Sequence, residues 1–469
     1  MTPAIPPELI EKLKALFPGN DQVVTRDSPS YDKALQRWSD LASQPAGAIV
    51  YPQSAEDVPK TILFAQENKL DLAVKGGGHT ADGGNSSDGG IVLDLGRLNK
   101  VTLHSDTKTL TAEGGALWRD VNRATAGSGL AVVSSSIGTT GVGGVTVQGG
   151  FGYLIGSHCL IIDNLQSVQI VTPDGKLQTA SESENSDLFW AVRGAGQNFG
   201  VVVEFTFRAH EQGNVFAGSL VYTLDKLDTV LATLHDSLRY KDGKTAAQCV
   251  VYQPPDAPEV LLNVALVHNG PEEECRERLA NIFSLNAVSM DVKQMQYEEA
   301  NAMLDSFSPP GSRKRLVGFD FAAPLRLQFV QKLCQELQTQ FDAEPNMMRS
   351  YIDIEFWHMS KMSKIPTTAM AYPNRTDTQK GSIALDYTDA SKDDEYLQWA
   401  MKLKSWFEDE FRRSGHEPNM LVSNFTYYTE PSTRRTVGDM FGVNAGRLIE
   451  LKRKYDPHGM FSKINPIST

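Results

Sequence analysis

The sequence predicts an α+β protein in two parts: a glycine-punctuated, β-rich part, then a part with an antiparallel sheet covered by helices. Three observations carry this expectation. From residue 76 to about 207, short β-branched runs are broken by glycine: GGIVLDL, KTLTAEGGAL, SVQIVTPDGKL and FGVVVEFTF. After 208 the glycine density falls, and strand-like stretches are interleaved with amphipathic helical ones. Finally, 469 residues exceed what one hydrophobic core ordinarily organises.

The elements follow in order. ELIEKLKALF at 8–17 has helical spacing, GAIVYP reads as a strand, SAEDVPKTILFAQENKL as a capped amphipathic helix, and LDLAVKGG as a second strand. ALWRDVNRATAGSG is the one clear helix of the glycine-rich region. Further on, SLVYTL, QCVVYQ, VLLNVALVHN, YIDIEFWHM and SIALDYTD are strand candidates. KLDTVLATLHDSL, PLRLQFVQKLCQELQTQF and DEYLQWAMKLKSWFEDEFRRSG are helical. The tail GDMFGVNAGRLIELKRKYDPHG reads as one helix ended by Asp-Pro and Gly.

Composition excludes several classes. A net charge of −12 disfavours nucleic acid or anionic membrane as partner, and the two locally basic stretches, KRKY near the C-terminus and SRKR at 312–315, read as solvated surface. No stretch is long and apolar enough for a bilayer, and the N-terminus lacks a signal-peptide pattern, so a cytoplasmic protein is expected. Cys159, Cys249, Cys275 and Cys334 lie far apart, which signals neither a zinc site nor a disulfide framework. No metal is expected.

The chemistry is concentrated in three glycine clusters. The first, GGGH at 76–79, lets backbone N–H groups converge on an anion such as a pyrophosphate. Taken alone it is an ordinary glycine turn; it is not G-x-G-x-x-G, and no helical pattern follows it. The second spans 134–164 and the third, LFWAVRGAGQNFGVVVEF, spans 188–205. Three such loops within a short stretch of chain point to one extended ligand laid along backbone, a dinucleotide.

GGGH, GVGG at 141–144 followed by GGFGYL, DN at 163–164, LFWAVRGAGQNFGVV and the closing KYDPHGMF resemble the berberine bridge enzyme-like flavoproteins of the vanillyl-alcohol oxidase and p-cresol methylhydroxylase superfamily. The resemblance is specific over 46–207 and the last stretch of the chain. It is weaker between, where TTAMAYPNR at 367–375 is similar to a T-A-x-x-H-R segment with Asn374 in place of His. It implies a bipartite FAD-binding domain of the p-cresol methylhydroxylase type at 1–207 and 416–469, with a substrate domain at 208–415. It further implies FAD joined covalently to His79. Many relatives add a cysteine link four residues before GVGG, and this chain has Ile137 there, so a single bond is expected, with Cys159 an inert thiol. Gly76, Gly77, Gly78 and Thr80 are expected at the pyrophosphate. Thr139, Gly143, Gly144, Thr146, Gly200 and Val202 are expected along the remainder of the cofactor, and Asn465 is the surviving amide of a degraded C-terminal motif.

Hydride abstraction needs a base or acceptor near the oxidised group. Strand alternation puts Ser382, Ala384 and Asp386 on one face and Ile383, Leu385 and Tyr387 on the other; Asp353, Glu355 and Trp357 likewise share a face, for which a solvent-exposed acidic surface is the plainer reading. NFTYYTE resembles the family's active-site aromatic segment, and His158 stands where relatives carry tyrosine. The expected order of substrate contact is Tyr428, His158, Asp386, Glu355. The function expected is oxidation of a small, secondary-metabolite-like alcohol or amine by hydride transfer to flavin with O2 as acceptor, in a monomer or homodimer. A dehydrogenase with poor O2 reactivity, or a cyclase with a redox-silent flavin, are the alternatives.

Overall fold

The computed structural model of this chain describes residues 5–19, 21–418, 421 and 435–468. Apolar β-branched runs near the start form a four-stranded sheet in the order Val23–Thr25, Ala48–Val50, Ile91–Asp94, Leu72–Lys75, in which the last three strands are parallel. Parallel neighbours need a crossover, and helix Asp57–Glu67 supplies one, placing Val58, Ile62 and Ala65 against the sheet. Backbone between Leu72–Lys75 and Ile91–Asp94 makes turns and bends with no helix, as the sequence predicts.

The glycine-broken runs form a five-stranded antiparallel sheet in the order Val101–His104, Thr109–Glu113, Val201–Arg208, Leu165–Val171, Leu177–Ser181. Helix Trp118–Thr125 buries Trp118 and Val121 beside it.

From Val215 onward the chain builds a seven-stranded, wholly antiparallel sheet. Its order is Ser289–Met295, Val215–Tyr222, Leu261–His268, Thr245–Tyr252, Tyr351–Phe356, Gln379–Tyr387, Arg313–Phe321. One face carries Ile352, Ile354, Ile383, Leu385, Val317 and Phe319 and packs under helices Leu227–Ser237, Leu327–Ala343 and Asp393–Arg413. The other is polar and turned toward the first part of the chain. On it Gln248 stands opposite Glu355, Asp353 opposite Ser382, and Lys314 opposite Asp386.

Three expectations are corrected here. Ser289–Met295 and Arg313–Phe321 are strands that no long apolar run announced, because the first is an exposed edge and the second alternates charged with apolar residues. Both basic stretches bury a lysine. Lys314 of SRKR lies under Trp38 and beside Asp386, while Lys452 of KRKY bonds Asp456 and the carbonyls of Asn198 and Phe461. The tail is two helices, Val437–Phe441 and Ala445–Tyr455, because Gly442 takes φ +52 and ends the first. Among the described residues no helix is long and apolar enough to cross a membrane.

Candidate cofactor cleft and substrate face

A cleft open to solvent lies where the four- and five-stranded sheets meet the C-terminal segment. Its walls include Gly76, Gly77, Gly78, His79, Thr80, Gly143, Gly144, Gly200 and Val202, so the structure brings these predicted residues together. Met460–Ile464 close one side, held in place because Asp456 accepts hydrogen bonds from the backbone N–H groups of Met460 and Phe461 at 2.9 Å.

Close backbone approach explains the glycines. A Cβ on Gly77 would sit 2.5 Å from the Gly141 nitrogen, so the first and second clusters touch only because neither has a side chain. A Cβ on Gly144 would meet no neighbouring protein atom within 4 Å and would project into the open cleft. Gln197 lies on the same cleft with both side-chain atoms, Oε1 and Nε2, buried and without a partner among the described residues. A buried amide in that state takes its partner from a ligand or an ordered water. Backbone cradle, open wall and unpaired amide fit a bound dinucleotide.

His79 sits at the cleft with its ring stacked on Trp38, centroids 4.3 Å apart. Trp38 donates from Nε1 to Ser308 Oγ at 2.8 Å, and that hydroxyl lies 3.3 Å from His79 Nε2. The loop itself is tied down, since the Trp38 amide donates to the Gly78 carbonyl at 3.0 Å. Burial, helped by the Lys314 ammonium, pushes the imidazole pKa down to about 3, so the ring is neutral at ordinary pH. Sequence reasoning missed Trp38 and Ser308, which are far from His79 in the chain. Gln197 could have been found, since it stands inside the third glycine cluster.

Other predicted residues are placed differently. Thr139 is not part of the cleft wall, which its neighbours Thr140 and Gly141 form. Thr146 is fully buried and donates back to the Val142 carbonyl at 2.7 Å, an intrahelical bond. Asn465 accepts from Arg435 at 2.9 Å, leaving the wall to Ile464. His158 is stacked on His210 at 3.7 Å, beside Asn164 and away from the cleft, and desolvation lowers its pKa to about 4. Asp386 accepts from Ser312 and Arg349 and lies 3.8 Å from Lys314. Its charge is already used in positioning that lysine, so it is not a free base. Tyr428 lies outside the described residues. The four cysteines are free thiols; Cys159 is half-buried, with its pKa raised by desolvation.

Glu355 is buried rather than solvent-exposed, which overturns the acidic-surface reading of that face. Gln248 Nε2 donates to Asp353 Oδ2 at 2.9 Å and to Glu355 Oε1 at 3.0 Å, while Gln248 Oε1 accepts from the Tyr153 hydroxyl at 3.3 Å. Tyr153 lies within the second glycine cluster, so this polar group sits where the two parts of the chain meet. TTAMAYPNR serves the same junction: Arg375 makes a buried bidentate pair with Asp163 at 2.7 and 2.8 Å.

Comparison with known proteins agrees with this geometry. Residues 46–181 match the family model described as an FAD binding domain. The chain is 32% identical to FAD-linked oxidoreductase pgmH of Aspergillus terreus, over 99% of this chain and 96% of that protein. Among solved structures, 6-hydroxy-D-nicotine oxidase from Arthrobacter nicotinovorans superposes with a TM-score of 0.80 at 24% identity, covering 95% of this chain and 97% of that one. The berberine bridge enzyme-like protein 1 of Physcomitrella patens gives 0.82 at 16% identity, covering 98% and 99%. The chain therefore belongs to the FAD-linked oxidoreductases, and it shares the fold of the berberine bridge enzyme-like protein.

Proposed function

We propose that the chain carries FAD on a single covalent bond to His79 and oxidises a small organic alcohol or amine, with O2 as the final acceptor. The observation that carries this reading is the state of His79: neutral, stacked and anchored at the cleft wall. An imidazole can attack an electrophilic carbon only through an unprotonated nitrogen, and the burial that depresses its pKa preserves that lone pair. Trp38 and Ser308 hold the ring in one orientation, which removes the rotational entropy that attachment would otherwise cost.

Bound FAD supplies a hydride acceptor for a carbon bearing a hydroxyl or amino group. Gly76, Gly77 and Gly78 present backbone to the pyrophosphate, Gly144 leaves room for the cofactor, and Gln197 offers it an amide. The Gln248, Asp353 and Glu355 group faces the same junction and is the chain's store of acid–base capacity for the substrate.

The test is denaturation in acid followed by gel fluorescence. Yellow fluorescence that stays with the wild-type chain and leaves with His79→Ala supports the bond; fluorescence that washes off the wild type rejects it. Turnover under nitrogen with no bleaching of the flavin would assign the cyclase reaction instead.

A further inference from the structure

The seven-stranded sheet has two edges, and the chain treats them differently. Arg313–Phe321 is capped where it begins: the Ser39 hydroxyl donates to the Lys314 carbonyl and accepts from the Lys314 N–H, and the Asp40 N–H donates to the Ser312 carbonyl. Ser289–Met295, at the other edge, pairs with Val215–Tyr222, and among the described residues no strand pairs its outer side. Its ladder runs without a bulge, it contains no proline, and five of its seven residues are exposed. A regular edge of that length presents unpaired backbone N–H and C=O groups to any strand laid against it.

Its side chains divide by face. Val292 packs on the helix-covered side of the sheet, and Met290 alternates onto that side with it; Asp291 and Lys293 share the opposite side with Met295. Val288 and Met290 are 60% and 42% exposed, apolar groups left uncovered beside an open edge. Asp291 and Lys293 are exposed, and among the described residues neither is in an ion pair.

This order of residues complements itself. A second copy laid antiparallel about a two-fold axis keeps each side chain on its own face only in registers that differ by two residues. With the axis at Val292, Asp291 stands opposite Lys293 of the second copy, and Lys293 opposite its Asp291, so two ion pairs form at once. The same register brings the two Val292 side chains together, with Met290 of each strand diagonal to Val292 of the other. A slip of two residues in either direction sets Asp291 against Asp291 or Lys293 against Lys293.

We infer that Ser289–Met295 is a self-pairing edge: two copies of this chain join antiparallel at Val292, and their seven-stranded sheets continue as one across the two-fold axis. Backbone hydrogen bonds hold the two strands, and the Asp291–Lys293 pairs fix the register. The occupant is a second copy because the spacing of the two charges satisfies itself without any other partner. Seven paired residues make a small interface, so the dimer dissociates on dilution.

Sedimentation velocity of the FAD-loaded protein over a series of concentrations tests this. The wild type should pass from monomer to dimer as concentration rises. Asp291→Lys and Lys293→Asp each set like charges together at both ends of the interface. Each alone should weaken dimerisation at least tenfold, with melting temperature and flavin spectrum unchanged. Mixing the two variants should restore a dimer, because each supplies the charge that the other lacks. Asp291→Lys/Lys293→Asp should also dimerise, which keeps the test open if one single variant does not fold. A wild type that stays monomeric, single variants that dimerise as the wild type does, or a mixture that stays monomeric overturns the inference.

Discussion

The His79 imidazole lies nearly parallel to the Trp38 indole, with the ring planes 14° apart. Trp38 also holds the hydroxyl of Ser308 that faces His79 Nε2, so one indole fixes the imidazole through its face and through its edge. Trp38→Phe keeps an aromatic face and removes the N–H. The expected loss is about 1 kcal/mol of local order. Reconstitution of flavin-free protein with FAD should therefore give slower covalent attachment, followed by gel fluorescence against time, with the same end point as wild type.

Gly77 and Gly144 should respond to alanine in opposite ways. The added methyl at Gly77 collides with the Gly141 backbone, so Gly77→Ala should lower the melting temperature of the flavin-free protein. At Gly144 it meets no protein atom, so Gly144→Ala should leave that melting temperature unchanged and reduce FAD content, read from the ratio of visible to ultraviolet absorbance.

Arg375 and Asp163 join the part that carries the seven-stranded sheet to the glycine-rich part through a buried bidentate pair. Arg375→Met strands the Asp163 charge and should destabilise the protein by about 3–5 kcal/mol, measured by denaturant unfolding. The double variant Arg375→Met/Asp163→Asn should recover part of that loss, since no charge is then left unpaired.

Burial raises the pKa of Asp353 to about 7, and Glu355 is pushed up by burial and by the Asp353 charge. The folded protein therefore holds protons there that the unfolded chain, with carboxyl pKa values near ~4, has released. The pair's favourable contribution is present at low pH and lost as pH rises through 7. Relative to Asp353→Asn, the ligand-free wild type should lose roughly 2–4 kcal/mol of stability between pH 5 and pH 8, measured by denaturant unfolding at each pH. A flat difference would show that the pair does not titrate in this range.

Much of the fold was legible because its signals are local. The strand Ile91–Asp94, the crossover helix Asp57–Glu67 and the alternation of Ile383, Leu385 and Tyr387 against Ser382 and Asp386 follow from side-chain periodicity alone. Strand Arg313–Phe321 was not legible. Its charged residues read as surface, although Val317, Phe319 and Phe321 repeat at the two-residue period that would have revealed it.

The site divides in the same way. By itself the sequence pointed to three glycine loops that gather at one site, with His79 in the first, since a loop's backbone freedom and a motif's order are properties of short stretches. Only the tertiary structure decided which groups surround His79, that Asp386 is consumed by Arg349 and Lys314, that His158 stacks on His210 instead of facing the cleft, and that Asp353 and Glu355 are buried without a cation. Those facts depend on desolvation and on partners distant along the chain, and pairing of that kind exists only once the chain has folded.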